Sequence, residues 1–229
     1  MEKNNERHTK PKLYEEEPEV ENWELVTDDE LRAHVEHLLP PGPNHLILVD
    51  GRSGSGKSTF ARRLASLLEG QVVHTDDIAW NYDIIDWDGA LMQGVIEPWR
   101  AGQDVSYKPL GWIRMGRDGA VEAAASPILV VEGVGAGRKS LAELADLVVW
   151  VQSDNEQART RGIERDMQEG ERSERVEAER FWDEWMSTET PYLNEERSWE
   201  HAQLIINGTP KEHTGEGTYL SPGPLLQSQ

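Results

Sequence analysis

The sequence predicts an α/β fold, a mostly parallel sheet with helices on both faces, and three observations carry that expectation. Short apolar runs recur along the chain, amphipathic stretches separate them, and a glycine-rich turn joins the first run to the first of those stretches. His45 to Asp50 (HLILVD) is bounded by PGPN and by glycine and reads as a buried parallel strand. Gln71 to His74, Ile128 to Glu132, Asp146 to Gln152 and Gln203 to Ile206 repeat that pattern.

Between the strands, Lys57 to Leu68 has helical spacing at Phe60, Leu64, Leu67 and Leu68. Further helices are expected at about 88–100, 139–145, 155–167 and 176–188. Strands separated by helices imply right-handed crossovers. Ala101 to Ala125 follows neither period and reads as an irregular insertion or a small antiparallel excursion.

Four segments are expected. Residues 1–22 are mostly charged or polar and carry Pro11 and Pro18, so they read as a disordered acidic arm. Residues 23–43 form a helical appendage: Thr27 and Glu30 have capping-box spacing, and Leu31, Val35, Leu38 and Leu39 share a face. Residues 44–208 are the main domain, and 209–229, rich in Gly and Pro, read as a flexible tail.

Composition excludes several classes. Among 229 residues there are 43 acidic and 23 basic side chains, a net charge of −20, and no cysteine. The chain therefore has no disulfide framework, thiolate zinc site or cysteine nucleophile. Such acidity disfavours general nucleic-acid binding, while a small phosphorylated ligand feels its local pocket more than distant, screened carboxylates. No run approaches the ~18 apolar residues of a membrane helix. The stretch MEKNNERHTKPKLYEEEPEVEN lacks the apolar core of a signal peptide, so a cytoplasmic location without membrane contact is expected.

The most specific signal is Gly51-Arg52-Ser53-Gly54-Ser55-Gly56-Lys57-Ser58, which satisfies G-x-x-x-x-G-K-[ST] between a predicted strand and a predicted helix. In such a loop the backbone amides of Gly51, Ser53, Gly54, Ser55, Gly56 and on to Thr59 converge on phosphate oxygens. The lysine reaches the β- and γ-phosphates, and the Ser58 hydroxyl is a Mg²⁺ ligand. ATP and Mg²⁺ are thus the expected cofactors. After the second strand, His74-Thr75-Asp76-Asp77 offers Asp76 as general base, with a helix cap as the plainer reading of either acid. Glu132 ends another strand and is a candidate to face the metal, or only to cap a turn.

Arg159, Arg161, Arg165, Arg172 and Arg175 suit a lid that neutralises transferring phosphate, or a solvated helix paired with its glutamates. Trp80, Trp87, Trp99 and Trp112 lie near Asp83, Asp86 and Asp88. Aromatic faces with carboxylates suit a polyol bearing a flat ring, although each Trp could simply pack the core.

Taken together these motifs resemble the uridine kinase family of P-loop kinases, which includes phosphoribulokinase and nicotinamide riboside kinase relatives. The similarity spans about residues 44–208. GRSGSGKS resembles the family's phosphate loop, HTDDI its strand-end base, Asp86-Trp87-Asp88 its acceptor-binding Asp-His-Pro-Asp region, VVEG its acid-Gly strand end and RGIERD its lid helix. Trp87 replaces the family's His, the Pro is absent, and YKPLGW replaces a Tyr-Asp-Phe stretch, so the acceptor side departs most.

The resemblance implies a three-layer P-loop kinase fold with a small acceptor-binding and lid insertion. It also implies an ATP-dependent phosphotransferase for a small hydroxyl acceptor, a nucleoside such as uridine or cytidine first. Lys57, Asp76 and Arg165 would be catalytic, Asp76, Asp86, Trp87 and Arg161 would bind the acceptor, and Ser58 with Glu132 would hold the metal. The alternatives are a non-nucleoside acceptor (a sugar, a vitamin or an antibiotic) and a non-catalytic ATP-binding regulatory module. Homo-oligomerisation is left open.

Overall fold

The computed structural model describes residues 11–80, 86–170, 172–209 and 217–227. In chain order the elements are β1 (Glu24–Val26), α1 (Asp28–Leu38), β2 (His45–Asp50), α2 (Lys57–Leu67), β3 (Gln71–His74) and α3 (Thr75–Ala79). Next come α4 (Asp88–Leu91), which runs through a π-helical turn (Met92–Ile96) into α5 (Glu97–Arg100), then β4 (Val105–Tyr107), α6 (Leu110–Met115) and β5 (Val121–Ala123). The second half holds β6 (Ile128–Glu132), α7 (Lys139–Ala142), β7 (Leu147–Gln152), α8 (Asn155–Gln168), α9 (Arg175–Glu196), β8 (Leu204–Asn207), β9 (Thr218–Pro222) and α10 (Pro224–Gln227).

Strand pleating divides the core into two layers. Leu46 and Leu48 of β2, Val131 of β6 and Trp150 of β7 enter one apolar cluster, which Leu91, Val95, Trp99 and Leu193 cover. Ile47, Val49, Val130 and Val149 enter the other, which Leu31 and Val35 of α1 and Phe60 and Leu64 of α2 cover. The sheet has the order β1-β9-β8-β7-β2-β6-β3. Its five strands from β8 to β3 are parallel, and β9 and β1 add antiparallel at one edge. The expected three-layer fold is thus the one observed. The segment that followed neither period contains the β4–β5 antiparallel hairpin with α6 between its strands. At α1 the capping box closes as expected: Glu30 N–H donates to the Thr27 hydroxyl at 3.3 Å and Thr27 N–H to Glu30 at 2.8 Å.

Both terminal segments depart from expectation. Residues 1–10 of the expected disordered arm lie outside the described residues, but 11–22 run as a strap against the domain. Glu17 is buried and paired with Arg52 of the phosphate loop, and the Tyr14 ring lies 3.7 Å from the Arg52 guanidinium carbon. Gln152 donates to the Pro18 carbonyl at 2.9 Å, Lys12 N–H to Asp154 at 2.8 Å, and Asn155 N–H to the Lys12 carbonyl at 2.9 Å. Apolar content underestimates such a segment because its partners are charged and backbone groups. The expected flexible tail likewise supplies β9, which pairs Ser221 with Ile205 and Tyr219 with Leu25. Residues 210–216 lie outside the described residues. Helix α9 continues to Glu196, past the expected end at Thr188 and through Pro191. Proline there forfeits one backbone bond, and burial of Tyr192 and Leu193 offsets it.

Burial pushes the Glu17 carboxyl up and the Arg52 charge opposes that shift, so the strap depends on a desolvated ion pair. Glu17→Ala would leave Arg52 buried without its carboxylate and should lower stability by about 3 kcal/mol. Chemical denaturation checks this; a loss under about 0.5 kcal/mol, the level of an ordinary surface change, would mean that the strap is not anchored there.

Candidate active site

The phosphate loop is held from three sides. At its start Asp50, fully buried, accepts the N–H groups of Gly51 at 2.7 Å, Gly135 at 2.9 Å and Gly137 at 2.9 Å. Burial pushes its carboxyl up, while the Ser198 hydroxyl and these three amides pull it back. At its crest Gly54 has φ 73°, and a Cβ there would lie 2.1 Å from the Ala158 carbonyl of α8. Behind it a Cβ on Gly208 would lie 1.8 Å from the Ser55 carbonyl. Any side chain at either glycine would push the loop off α8 or off the end of β8. The loop then delivers Lys57 and Ser58 as the first residues of α2, with no acid in that helix's first turn to compete for an anion.

Two clefts of about 420 Å³ flank the loop. Ser53, Lys57, Asp76, Trp80, Arg165 and Trp185 are among the residues lining one. Gly56, Thr59, Arg63, Arg161, Asn207 and Tyr219 are among those lining the other. The three residues expected to be catalytic, Lys57, Asp76 and Arg165, therefore meet in one cleft. Arg161 does not join them: it lines the opposite cleft, where its guanidinium donates to the Gly208 carbonyl at 2.7 Å.

Trp87 also departs from expectation. It is buried in the core with the Arg138 guanidinium carbon 4.0 Å from its ring centre, and Asp86 is exposed and does not line either cleft. The aromatic wall beside Asp76 comes instead from Trp80, Phe181, Trp182 and Trp185. The pair of acids after β3 divides its work. Asp76 lines the cleft, whereas Asp77 pairs with Arg117 at 3.0 Å and its carbonyl accepts the Trp112 indole at 2.8 Å, tethering the insertion. Along α8, α9 and the turn between them, Arg159 pairs with Asp183, Arg175 with Glu179, and Arg172 with Asp166 while lying over Phe181.

Glu132 stands beside the loop at the end of β6. One carboxyl oxygen is hydrogen-bonded to His74, its register partner on β3. The other is buried with no hydrogen-bond partner among the described residues. Burial pushes this carboxyl up, but His74, the Lys57 charge and the Ser58 hydroxyl outweigh it and hold it below the ordinary range. An ionised carboxylate with a spare oxygen near Ser58 fits a metal shared with phosphate. Among the described residues no three His, Cys, Asp or Glu gather into a metal-holding cluster.

Sequence reasoning passed over His74, Asp50, Arg52 and Glu189. His74 had a signal, since it ends a strand next to Asp76, and Asp50 ends the strand before the loop. Arg52 could not be assigned without the strap. Glu189 lies one residue past the expected end of its helix, yet its carboxylate accepts from Ser53 and Trp185.

Over residues 47–181, more than half of its length, the chain matches the AAA domain family and belongs to it. No curated protein sequence matches it. Among solved structures, a candidate fructose transport system kinase from Silicibacter sp. TM1040 is similar over 67% of this chain and 87% of its own, with 19% identity and a TM-score of 0.49. A possible uridine kinase from Bacillus stearothermophilus is similar over 72% of this chain and 92% of its own, with 21% identity and a TM-score of 0.42.

The His74–Glu132 pair sets a pH dependence of stability. The Glu132 hydrogen bond leads in raising the His74 pKa above its ordinary value, against partial burial. A raised folded value gives stability that is complete below the unfolded pKa of about 6.5 and is lost as pH rises through the folded value. His74 is half-exposed, so the contribution should be under about 1 kcal/mol. Melting temperatures of wild type and His74→Gln should differ most at mildly acid pH and converge in alkali; a gap that ignores pH would rule out an ionic pair.

Proposed function

We propose that this AAA-domain chain is a Mg²⁺-dependent phosphotransferase that moves the γ-phosphate of ATP to a hydroxyl of a small molecule, with uridine or cytidine as the first acceptors to try. The observation that carries the reading is the shared cleft of Lys57, Asp76 and Arg165 on one side of the phosphate loop. Asp76 would orient the acceptor hydroxyl and take its proton as that oxygen bonds to the γ-phosphorus and the bond from phosphorus to the β–γ bridging oxygen breaks, with ADP as the leaving group. Lys57 and Arg165 would balance charge on the equatorial oxygens while the loop amides hold the remaining phosphates. Ser58, with Glu132 nearby, would hold Mg²⁺, which would supply positive charge against the phosphates when bound. The protein's share is positioning and electrostatics, which suits a reaction that needs little covalent chemistry from the enzyme.

A non-nucleoside acceptor is the second reading, and the burial of Trp87 with the remoteness of Asp86 favours it. Those two residues were the residue-level support for a ribose. What lines the cleft is an aromatic wall with Asp76, Asp166, Lys57 and Arg165, which suits a ring-bearing alcohol more generally. No helix among the described residues is long and apolar enough to cross a membrane.

A screen of nucleosides, sugars and vitamin alcohols for acceptor-dependent ADP release tests the proposal. Lys57→Ala should cut that turnover by about 10²-fold or more without unfolding the domain; undiminished turnover would exclude the mechanism. Nucleotide binding with no acceptor-dependent turnover across the screen would favour a regulatory module.

Asp76→Asn should retain MgATP affinity and slow transfer by at least about 10²-fold, because the amide keeps the shape but cannot accept a proton. A parallel loss of nucleotide affinity in Mg²⁺ would instead make Asp76 a metal ligand, and an unchanged rate would exclude both roles.

A further inference from the structure

Glu189, on α9, is completely buried, and its side chain meets the phosphate loop. The Ser53 N–H donates to its two oxygens at 3.1 and 3.3 Å, and the Ser53 hydroxyl and the Trp185 indole donate at 2.6 and 2.7 Å. Both carboxyl oxygens act as acceptors and neither needs to donate, which is the bonding of a carboxylate. The loop whose amides gather on phosphate thus already holds an anion at one end.

Which end follows from the two clefts. Ser53 and Lys57 open on the cleft that holds Asp76 and Arg165, and Gly56 and Thr59 open on the other. A lysine at this loop position reaches the β- and γ-phosphates. Ser53 therefore stands where the terminal phosphate arrives, and the nucleoside leaves by the opposite mouth. Glu189 does not itself line the cleft; it acts through Ser53 and through its charge.

We infer that Glu189 is a positioning residue that holds the Ser53 donors away from the terminal phosphate and so biases the loop toward nucleoside diphosphate over triphosphate. This rests on the ATP-binding reading above. Two effects share one sign. Donors engaged by a carboxylate are not aimed at the γ-phosphate, and a buried negative charge, little screened by salt, opposes the γ-phosphate more than the more distant β-phosphate. Because the Trp185 indole donates both to this carboxylate, at 2.7 Å, and to the Ser53 hydroxyl, at 2.9 Å, the aromatic wall of the acceptor cleft is registered to the loop at this point.

Titration calorimetry of the full chain with MgADP and with Mg²⁺ and the ATP analogue AMP-PNP tests the inference. Glu189→Gln should tighten AMP-PNP by about tenfold, equivalent to ~1.4 kcal/mol, while ADP affinity stays within about twofold. Ser53→Ala, whose hydroxyl the carboxylate already holds off the phosphate, should leave the AMP-PNP to ADP ratio within about twofold; a selective loss of AMP-PNP would show that the hydroxyl reaches the terminal phosphate and would overturn the inference. Glu189→Met keeps the size and removes the charge, and provides the answer where Glu189→Gln does not fold. A purely structural role would move both nucleotides together. Equal shifts, or an unchanged ratio in the folded Glu189 variants, overturn the inference and leave the phosphotransferase reading standing. Wild-type protein that binds neither nucleotide overturns both.

Discussion

The site depends on the buried carboxylate of Asp50. It ends β2 and binds the first amide of the phosphate loop together with two amides of the segment that follows β6. The strand carrying Lys57's loop and the strand carrying Glu132 are neighbours in the sheet. The Asp50 side chain, bonded to both continuations, ties the loop that leads to Lys57 to the segment that follows Glu132. Without it three buried N–H groups would lose their acceptor, at about 1 to 3 kcal/mol each, and the loop could move independently of Glu132.

The same logic recurs outward from Asp50. The chain carries a large excess of acid, yet the charges it buries near the site are each placed against a partner of matching chemistry. Arg52 lies between Glu17 and the face of Tyr14, Arg138 over Trp87 and 3.9 Å from Asp88, and Glu189 against amide, hydroxyl and indole donors. Burying unpaired charge is prohibitive, so these partners also determine which segments must pack. The strap and α9 are held to the loop by polar contacts as much as by apolar ones.

What could be read from the sequence was what is periodic or punctuated locally. The strands 45–50 and 128–132 stand at the expected bounds because each is a dense apolar run followed by glycine, and 71–74 because its Val pair is closed by Gly70 on one side and by Asp76 and Asp77 on the other. Lys57 and Asp76 could be brought together because both follow strand ends, which share one edge in a parallel sheet, whereas Arg165, in the last turn of α8, was reached only through the arginine-rich run that suits phosphate. Long-range pairing was hidden. Glu17 is meaningful only opposite Arg52, β9 only beside β8, and Trp87 looks equally suited to a ligand or to a core until its neighbours are known. Proline at 191 masked the continuation of α9, and with it Glu189. Motif chemistry survives the loss of three-dimensional information; partner choice does not.

The antiparallel addition of β9 and β1 also bears on self-association. An exposed strand edge offers unpaired backbone groups to any other chain. Without the tail, that edge of the sheet would be β8, Leu204–Asn207, whose first three residues are buried and apolar. With it, the outermost strand is the three-residue ELV of β1, whose Glu24 is exposed, while the opposite edge is the four-residue β3. Two short borders leave little template for sheet-to-sheet growth, so the segment that looked dispensable in composition is what covers the apolar β8 edge.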